Sequence, residues 1–170
     1  MDKKVHELLN DQINKELYSA YLYLDMANFY DAKSLDGFAN WFEIQAREEQ
    51  DHAMLIYKYL HNSSEAVTLG AIARPDKAFA ALDDPLKAAL EHERYVTSLI
   101  YGIYAAAEAV KDYRTMQFLD WFVKEQAEEE KNSQELLDKF ALYAGDGAGL
   151  HALNAELKGR AYAAPSLELD

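Results

Sequence analysis

The chain has 170 residues, half of them apolar and 28% charged, with a net charge of −13. That is enough for one domain spanning 1–170 with a substantial core, and the acidic balance argues against nucleic acid and anionic membrane surfaces while suiting cations. With no cysteine there is no disulfide framework and no thiolate metal site. No run of about 18 uncharged apolar residues suggests a membrane span. Residues Met1 to Glu7 turn amphipathic at once, without the apolar stretch of a secretion signal. A cytoplasmic protein is expected.

The spacing of Leu9, Ile13, Leu17, Ala20, Tyr21, Leu24 and Ala27 predicts a first helix over about 3–31. Ser34 is a candidate N-cap for a second helix reaching about Leu60. Residues 61–82 lose clear periodicity and contain Gly70 and Pro75. Such a segment is long for a bundle connection. It reads as a crossover that lets helices two and three run parallel, the alternative being a loose surface loop. Asp84-Pro85 predicts the start of a third helix, with Asp as cap and proline at the first helical position, running to about Lys111. A fourth helix is expected from about Thr115 to Tyr143, then a break at Gly145-Asp146-Gly147-Ala148-Gly149. A short fifth helix over about 150–158 and a loose tail over 161–170 complete the chain. The expected fold is all-α: a four-helix bundle over about 3–144 plus the short fifth helix.

Within this frame the acidic residues repeat at fixed spacing. Glu16 to Glu49 is 33 residues, as is Glu93 to Gln126, and Glu16–Glu93, Glu49–Gln126 and His52–Glu129 are all 77 apart. Each hairpin thus carries one lone carboxylate and one i, i+3 pair, Glu49/His52 in the first and Gln126/Glu129 in the second. Residues three apart share a helix face. One carboxylate from each of two helices, with an i, i+3 pair from each of the other two, is how helical bundles hold two metal ions. The midpoints of the 33-residue intervals fall near the predicted turns, so each ligand lies about 16 residues, or roughly 25 Å, from its turn at a rise of about 1.5 Å per residue. That is mid-bundle, where unpaired charges are costly. Four carboxylates, Glu16, Glu49, Glu93 and Glu129, balance two divalent cations. One imidazole among oxygen ligands, with no sulfur, suits iron or manganese and tolerates zinc. Trp41-Phe42 and Trp121-Phe122 suggest a competing offset of 80; three ligand pairs obey 77.

At these residues the chain resembles a prokaryotic non-haem ferritin, on Asn14-Lys15-Glu16-Leu17-Tyr18-Ser19, Arg47-Glu48-Glu49-Gln50-Asp51-His52, Glu91-His92-Glu93 and Glu125-Gln126-Ala127-Glu128-Glu129-Glu130-Lys131. The resemblance implies a ferritin-like bundle with an intrasubunit di-iron centre. Glu16, Glu49 and His52 would bind the first iron with Glu49 bridging, Glu93 and Glu129 would complete the second, and Gln126 would sit beside that second iron, binding it weakly or through water. Glu48, Glu125 and Glu128, with Glu129 shared, resemble a third iron site of some prokaryotic ferritins. Tyr23 matches a tyrosine next to the dinuclear centre. The implied activity is ferroxidase: Fe(II) is oxidised to Fe(III) by O2 or H2O2 and stored as mineral inside a homo-oligomeric 24-mer shell.

Taken singly, each acid reads better as a solvated helix face, and it is the joint spacing that favours a metal site; Tyr23 alone could be core. His6, His61, His92 and His151 have no partner at ligand spacing and read as surface or capping residues. Haem is not expected, because the haem-binding relatives would place a second Glu-x-x-His where Gln126-x-x-Glu129 stands and a methionine where Gln50 stands. The competing functions are a non-catalytic shell subunit and a di-iron or di-manganese oxygenase or peroxidase on the same fold.

Overall fold

The structure, a computed structural model, describes residues 1–169; Asp170, the end of the expected tail, lies outside them. Its helices are α1 (Lys3–Asp31), α2 (Asp36–Asn62), α3 (Asp84–Ala109), α4 (Tyr113–Tyr143) and α5 (Gly147–Lys158), with no strand among the described residues. None of these helices is long and apolar enough to cross a membrane.

Two apolar cores fill the four-helix bundle. One gathers Leu9 and Ile13 from α1, Ile56 and Leu60 from the end of α2, Ile100 and Ile103 from the end of α3, and Phe118 and Phe122 from the start of α4. The other gathers Met26 and Tyr30 from α1, Phe38 and Phe42 from the start of α2, Leu86 and Ala89 from the start of α3, Leu136 from α4, and Leu153 and Leu157 from α5. The ends of α2 and α3 share one core and their starts share the other, so these two helices run the same way. Each fully buried Phe or Leu contributes roughly 1.5–3 kcal/mol. Phe42 and Phe122 lie in different cores, so the two Trp-Phe pairs are not equivalent and the 80-residue offset is a coincidence.

The crossover that permits this topology is tied to α1. His6, Asn10 and Asn14, one turn apart, bond the backbone of Ala66 (2.8 Å), Thr68 (2.8 and 2.9 Å) and Ala71 (3.1 Å). The Tyr30 hydroxyl donates to the Leu82 carbonyl at 2.6 Å. Both hairpin turns close alike. Leu35 N–H bonds Tyr30 O at 3.1 Å and Asp112 N–H bonds Ala107 O at 2.9 Å, with Ser34 (φ 58°) and Lys111 (φ 59°) in the left-handed region. This is the six-to-one helix ending usually built on glycine. Ser34 and Lys111 are themselves 77 residues apart, so the turns share the register of the acids.

Five local expectations are corrected. Ser34 is no N-cap, since it closes α1; the cap position of α2 is Leu35, which offers no side-chain cap. The carboxamide oxygen of Asn154 on α5 accepts from Gly37 and Phe38 N–H at 2.9 and 3.3 Å instead. A Cβ on Gly37 would stand 1.8 Å from the Asn154 carbonyl oxygen, so this close approach needs glycine. Asp84 is helical rather than a cap, and its carboxylate accepts from Ala80 and Ala81 N–H at 2.9 and 2.8 Å. The glycine-rich break already contains the first turn of α5, begun by Asp146 accepting from Gly149 N–H at 2.8 Å. Tyr21 and Leu24, although on the apolar pattern of α1, are 49% and 43% exposed. The segment after α5 is fastened to the bundle through Arg160, Tyr162 and Ser166.

Candidate metal centre

Between the two cores lies a buried polar layer: Gln12, Glu16, Ser19, Gln45, Glu49, His52, His92, Glu93, Thr97, Gln126 and Glu129. The 33-residue spacing places them at one height, since residues equidistant from an antiparallel turn are level. Glu16, Glu49 and His52 bring ligand atoms within 4.8 Å of one another, as do His52, Glu125 and Glu129. His52 is common to both groups, and its Nδ1 lies 3.8 Å from Glu49 Oε2.

The second lone carboxylate, Glu93, is held from two sides. The Tyr23 hydroxyl donates to its Oε1, and Gln126 Nε2 donates to its Oε2 at 3.1 Å. Gln126 is therefore a direct neighbour of Glu93, bound also near Thr97 Oγ1 at 3.4 Å. Glu129 accepts from Gln45 Nε2 at 2.8 Å. Tyr23 stacks on Phe42 and meets His92 edge-on. The Trp121 ring centroid is 5.5 Å from that of His52.

The expected third group is brought together only in part. Glu125 joins His52 and Glu129. Glu48 is engaged by the Arg160 guanidinium at 2.7 Å, and Glu128 faces solvent.

Burial sets the electrostatics. Glu16, Glu49 and Glu93 are 1% exposed and Glu129 is 4% exposed. Desolvation pushes every one of these carboxyls up, with mutual repulsion adding to it for Glu16, Glu49 and Glu129, so that Glu129 reaches about 8. Desolvation, and then the charge of Glu93, likewise hold the Tyr23 phenol well above its ordinary range. Glu16 Oε2 and Glu49 Oε1 are buried with no N–H or hydroxyl donor, and the two carboxyls are near enough to share a proton only with each other. Buried polar atoms are otherwise almost always paired, so these two oxygens are where the donor set fits a cation.

Sequence reasoning passed over the residues that orient the acids. Gln12 Nε2 donates to Glu16 Oε1 at 3.0 Å. A usable signal existed: Gln12 and Gln45 each stand four residues before an acid, Glu16 and Glu49, and are 33 apart. His92 is corrected from surface residue to buried group. It bonds Ser19 Oγ at 2.8 Å and burial pushes it down to about 4, so it is neutral.

A bundle of four helices with a buried carboxylate and imidazole layer at mid-height defines a helical protein with a candidate metal centre. The family model of the ferritin-like domain matches residues 6–143, and the chain belongs to the ferritin family. A bacterial non-heme ferritin of Campylobacter jejuni is 37% identical over 158 residues, covering 93% of this chain and 95% of that protein. One of Staphylococcus epidermidis is 35% identical over 162 residues, covering 95% and 98%. Among solved structures, an open-pore ferritin of the hyperthermophilic archaeon Archaeoglobus fulgidus superposes with a TM-score of 0.92 at 37% identity, covering 95% of this chain and 99% of that one. A closed form engineered from that archaeal ferritin gives a TM-score of 0.93 at 37% identity, covering 96% and 99%.

Proposed function

We propose that this chain is an iron-storage ferritin subunit that oxidises its own cargo. Membership of the ferritin family supports storage, and the buried oxygens of Glu16 and Glu49 that receive no N–H or hydroxyl donor carry the ferroxidase reading. Fe(II) is the substrate. Glu16, Glu49 and His52 take one ion, Glu93 and Glu129 take the other, and Glu49 lies between. Carboxylate oxygens stabilise Fe(III) over Fe(II), which eases electron loss. Holding two one-electron donors together lets a single oxidant collect both electrons, a proximity effect. Dioxygen would leave as hydrogen peroxide and hydrogen peroxide as water, each taking up two protons. Tyr23 keeps Glu93 oriented through its hydroxyl, and Gln126 does so from the other side. The ferric product then leaves the bundle for a mineral core.

The storage reading includes a 24-subunit shell of identical chains. Exposed Tyr21, Tyr101, Tyr113 and Leu142, between 49% and 75% accessible, supply apolar area for subunit contacts. A cytoplasmic location accompanies it, and the competing reading of an oxygenase on this fold predicts a small oligomer. Light scattering separates them, since storage requires a particle near 24 copies of the 19.3 kDa chain. The decisive experiment is stopped-flow oxidation of Fe(II) by metal-free protein and by Glu49→Ala and His52→Ala. Both variants should assemble yet lose more than the roughly 10–100-fold that outer-shell changes cost. Parent-like rates in both would place the chemistry elsewhere.

A further inference from the structure

The segment after α5 lies along α2 and α4 as a strap. Asn40 Nδ2 donates to the Arg160 carbonyl at 3.1 Å. The Arg160 guanidinium sits 4.1 Å from the Trp41 ring centroid, donates to the Trp41 carbonyl at 3.2 Å and pairs with Glu48 Oε2 at 2.7 Å. The Tyr162 hydroxyl donates to Asp51 at 2.6 Å, with the Arg47 guanidinium 3.5 Å from its ring centroid. Trp121 Nε1 donates to Ser166 Oγ at 3.0 Å, and Leu167 and Leu169 pack on the first core. The strap is thus pinned on both sides of the place where Glu48 approaches the His52–Glu125–Glu129 group.

Glu48 belongs to that group electrostatically: Glu125 repels it, and its own charge adds to the burial and the Glu93 charge that push Glu129 up. Its Oε2, however, is committed to Arg160, and both side chains are only 18% exposed. The guanidinium supplies the positive charge that a third metal ion would bring, from the same carboxylate. A cation on Glu48 would stand beside that guanidinium, 2.7 Å from Oε2, and the two positive charges would repel in a half-buried place that screens them little.

We infer that Arg160 is a lock on a third metal position: while it holds Glu48 the subunit takes two ions, and a third enters beside Glu125 only when Arg160 leaves. This rests on the metal-site reading above. It makes the C-terminal strap, rather than the acids alone, the element that sets how many ions each subunit binds. Releasing the lock removes one positive charge and frees one carboxylate. Stacking on Trp41 and the bond to its carbonyl make the closed state the resting one, because arginine is favoured where planar stacking and fork-like bonding coincide.

The test is calorimetric titration of the chelator-stripped full assembly with Zn(II), paired with Tb(III) emission excited through tryptophan. The chain has only two tryptophans, Trp41 and Trp121, and they flank this position. The parent should bind two Zn(II) per subunit tightly. Arg160→Gln should bind three, the third at least about tenfold tighter than in the parent, with a new step in Tb(III) emission. Arg160→Lys, which keeps the charge but loses the stacking on Trp41 and the forked bonding, should bind the third ion more tightly than the parent and more weakly than Arg160→Gln. Adding Glu48→Gln to Arg160→Gln should return the count to two, which separates this ion from diffuse binding to an acidic shell. The contacts of Asn40, Tyr162 and Trp121 remain in every variant, so the strap stays seated. A count of two in Arg160→Gln, or a parent that already fills three equally well, overturns the lock while leaving the two-ion centre standing. A parent that binds no Zn(II) at all overturns the metal-site reading, and the lock with it.

Discussion

The two helical hairpins carry their acids at the same spacing and leave them in different states. In the first, formed by α1 and α2, Glu16, Glu49 and His52 converge, and two carboxylate oxygens are left without a donor. In the second, formed by α3 and α4, both oxygens of Glu93 are engaged by Tyr23 and Gln126, and Glu129 is held by Gln45 from the first hairpin. Spacing fixes the height of a ligand, while the residue types around it decide whether it is free. The first hairpin ends its pair in His52, whose Nδ1 stands 3.8 Å from Glu49 Oε2, and Glu16 Oε2 and Glu49 Oε1 receive no N–H or hydroxyl donor. In the second hairpin the pair begins with Gln126, whose amide occupies one oxygen of Glu93. On the proposed reading the first hairpin would receive an ion without breaking a bond to Glu49 Oε1 or Glu16 Oε2, whereas the second would have to release bonds to Glu93.

That difference predicts ordered loading, and the largest effect should come from breaking the first hairpin. Glu16→Gln should abolish the tight first Zn(II) in a calorimetric titration. Glu93→Gln should keep one tight ion per subunit and lose only the second. If the two variants lose the same ion, or the same number, the hairpins are equivalent and the comparison fails.

The next effect concerns protons. Glu129 rises from an ordinary 4.5 to about 8 on folding, and Glu16, Glu49 and Glu93 rise too. A carboxyl whose pKa is raised by folding stabilises the folded state while protonated. For Glu129 that contribution is complete below about pH 4.5 and is lost as pH climbs through about 8. Metal-free protein should therefore melt at falling temperature between pH 5 and roughly 8.5 at a fixed scan rate. With Zn(II) present the trend should reverse, because metal replaces the protons and binds better as they leave. A flat profile in chelator would mean that these acids are ionised and solvated, contrary to their burial.

A smaller and more selective effect is expected from the two glutamines. Gln12→Leu should weaken the first ion and Gln45→Leu the second, each by about tenfold, the lower range for residues that orient a ligand. Cross-effects, in which Gln45→Leu weakens the first ion alone, would dissolve the distinction between the hairpins.

The helices, the long crossover and the height of the acids were legible in the sequence because they follow from periodicity and arithmetic, local rules that a chain displays openly. The turns were less so. Ser34 and Lys111 adopt a left-handed backbone without glycine or asparagine to announce it, and tertiary packing overrides their local preference. The tail was misread because its anchors are long-range. Arg160 to Glu48 and Tyr162 to Asp51 each span more than a hundred residues, and nothing in a charged, alanine-rich end reveals which acids it will meet. His92 was misread for the same reason, since Ser19, its partner, lies on another helix. Within the centre, the acids could be placed together from spacing, but which oxygens remain free depends on Tyr23, Gln45 and Gln126 reaching across helices.

The smallest expected effect separates the hairpins by how their second helices begin. Asp112 caps α4 from within its own turn, its carboxylate accepting from Thr115 N–H at 3.2 Å and from the Thr115 hydroxyl at 2.7 Å. The start of α2 borrows its cap from Asn154, more than a hundred residues away. Removing either acceptor should cost about 0.5–2 kcal/mol, the usual range for an N-cap. The consequences should spread differently. Asp112→Ala should speed hydrogen exchange only in the first turn of α4. Asn154→Ala should speed it at Gly37 and Phe38 and also along α5, because Asn154 further donates to Asp36 at 3.0 Å and so joins the two helices. Looser α5 docking would in turn free Arg160, which follows α5 by two residues. Exchange confined to the start of α2 in Asn154→Ala would show instead that Leu153 and Leu157, buried against the second core, hold α5 without help from the cap.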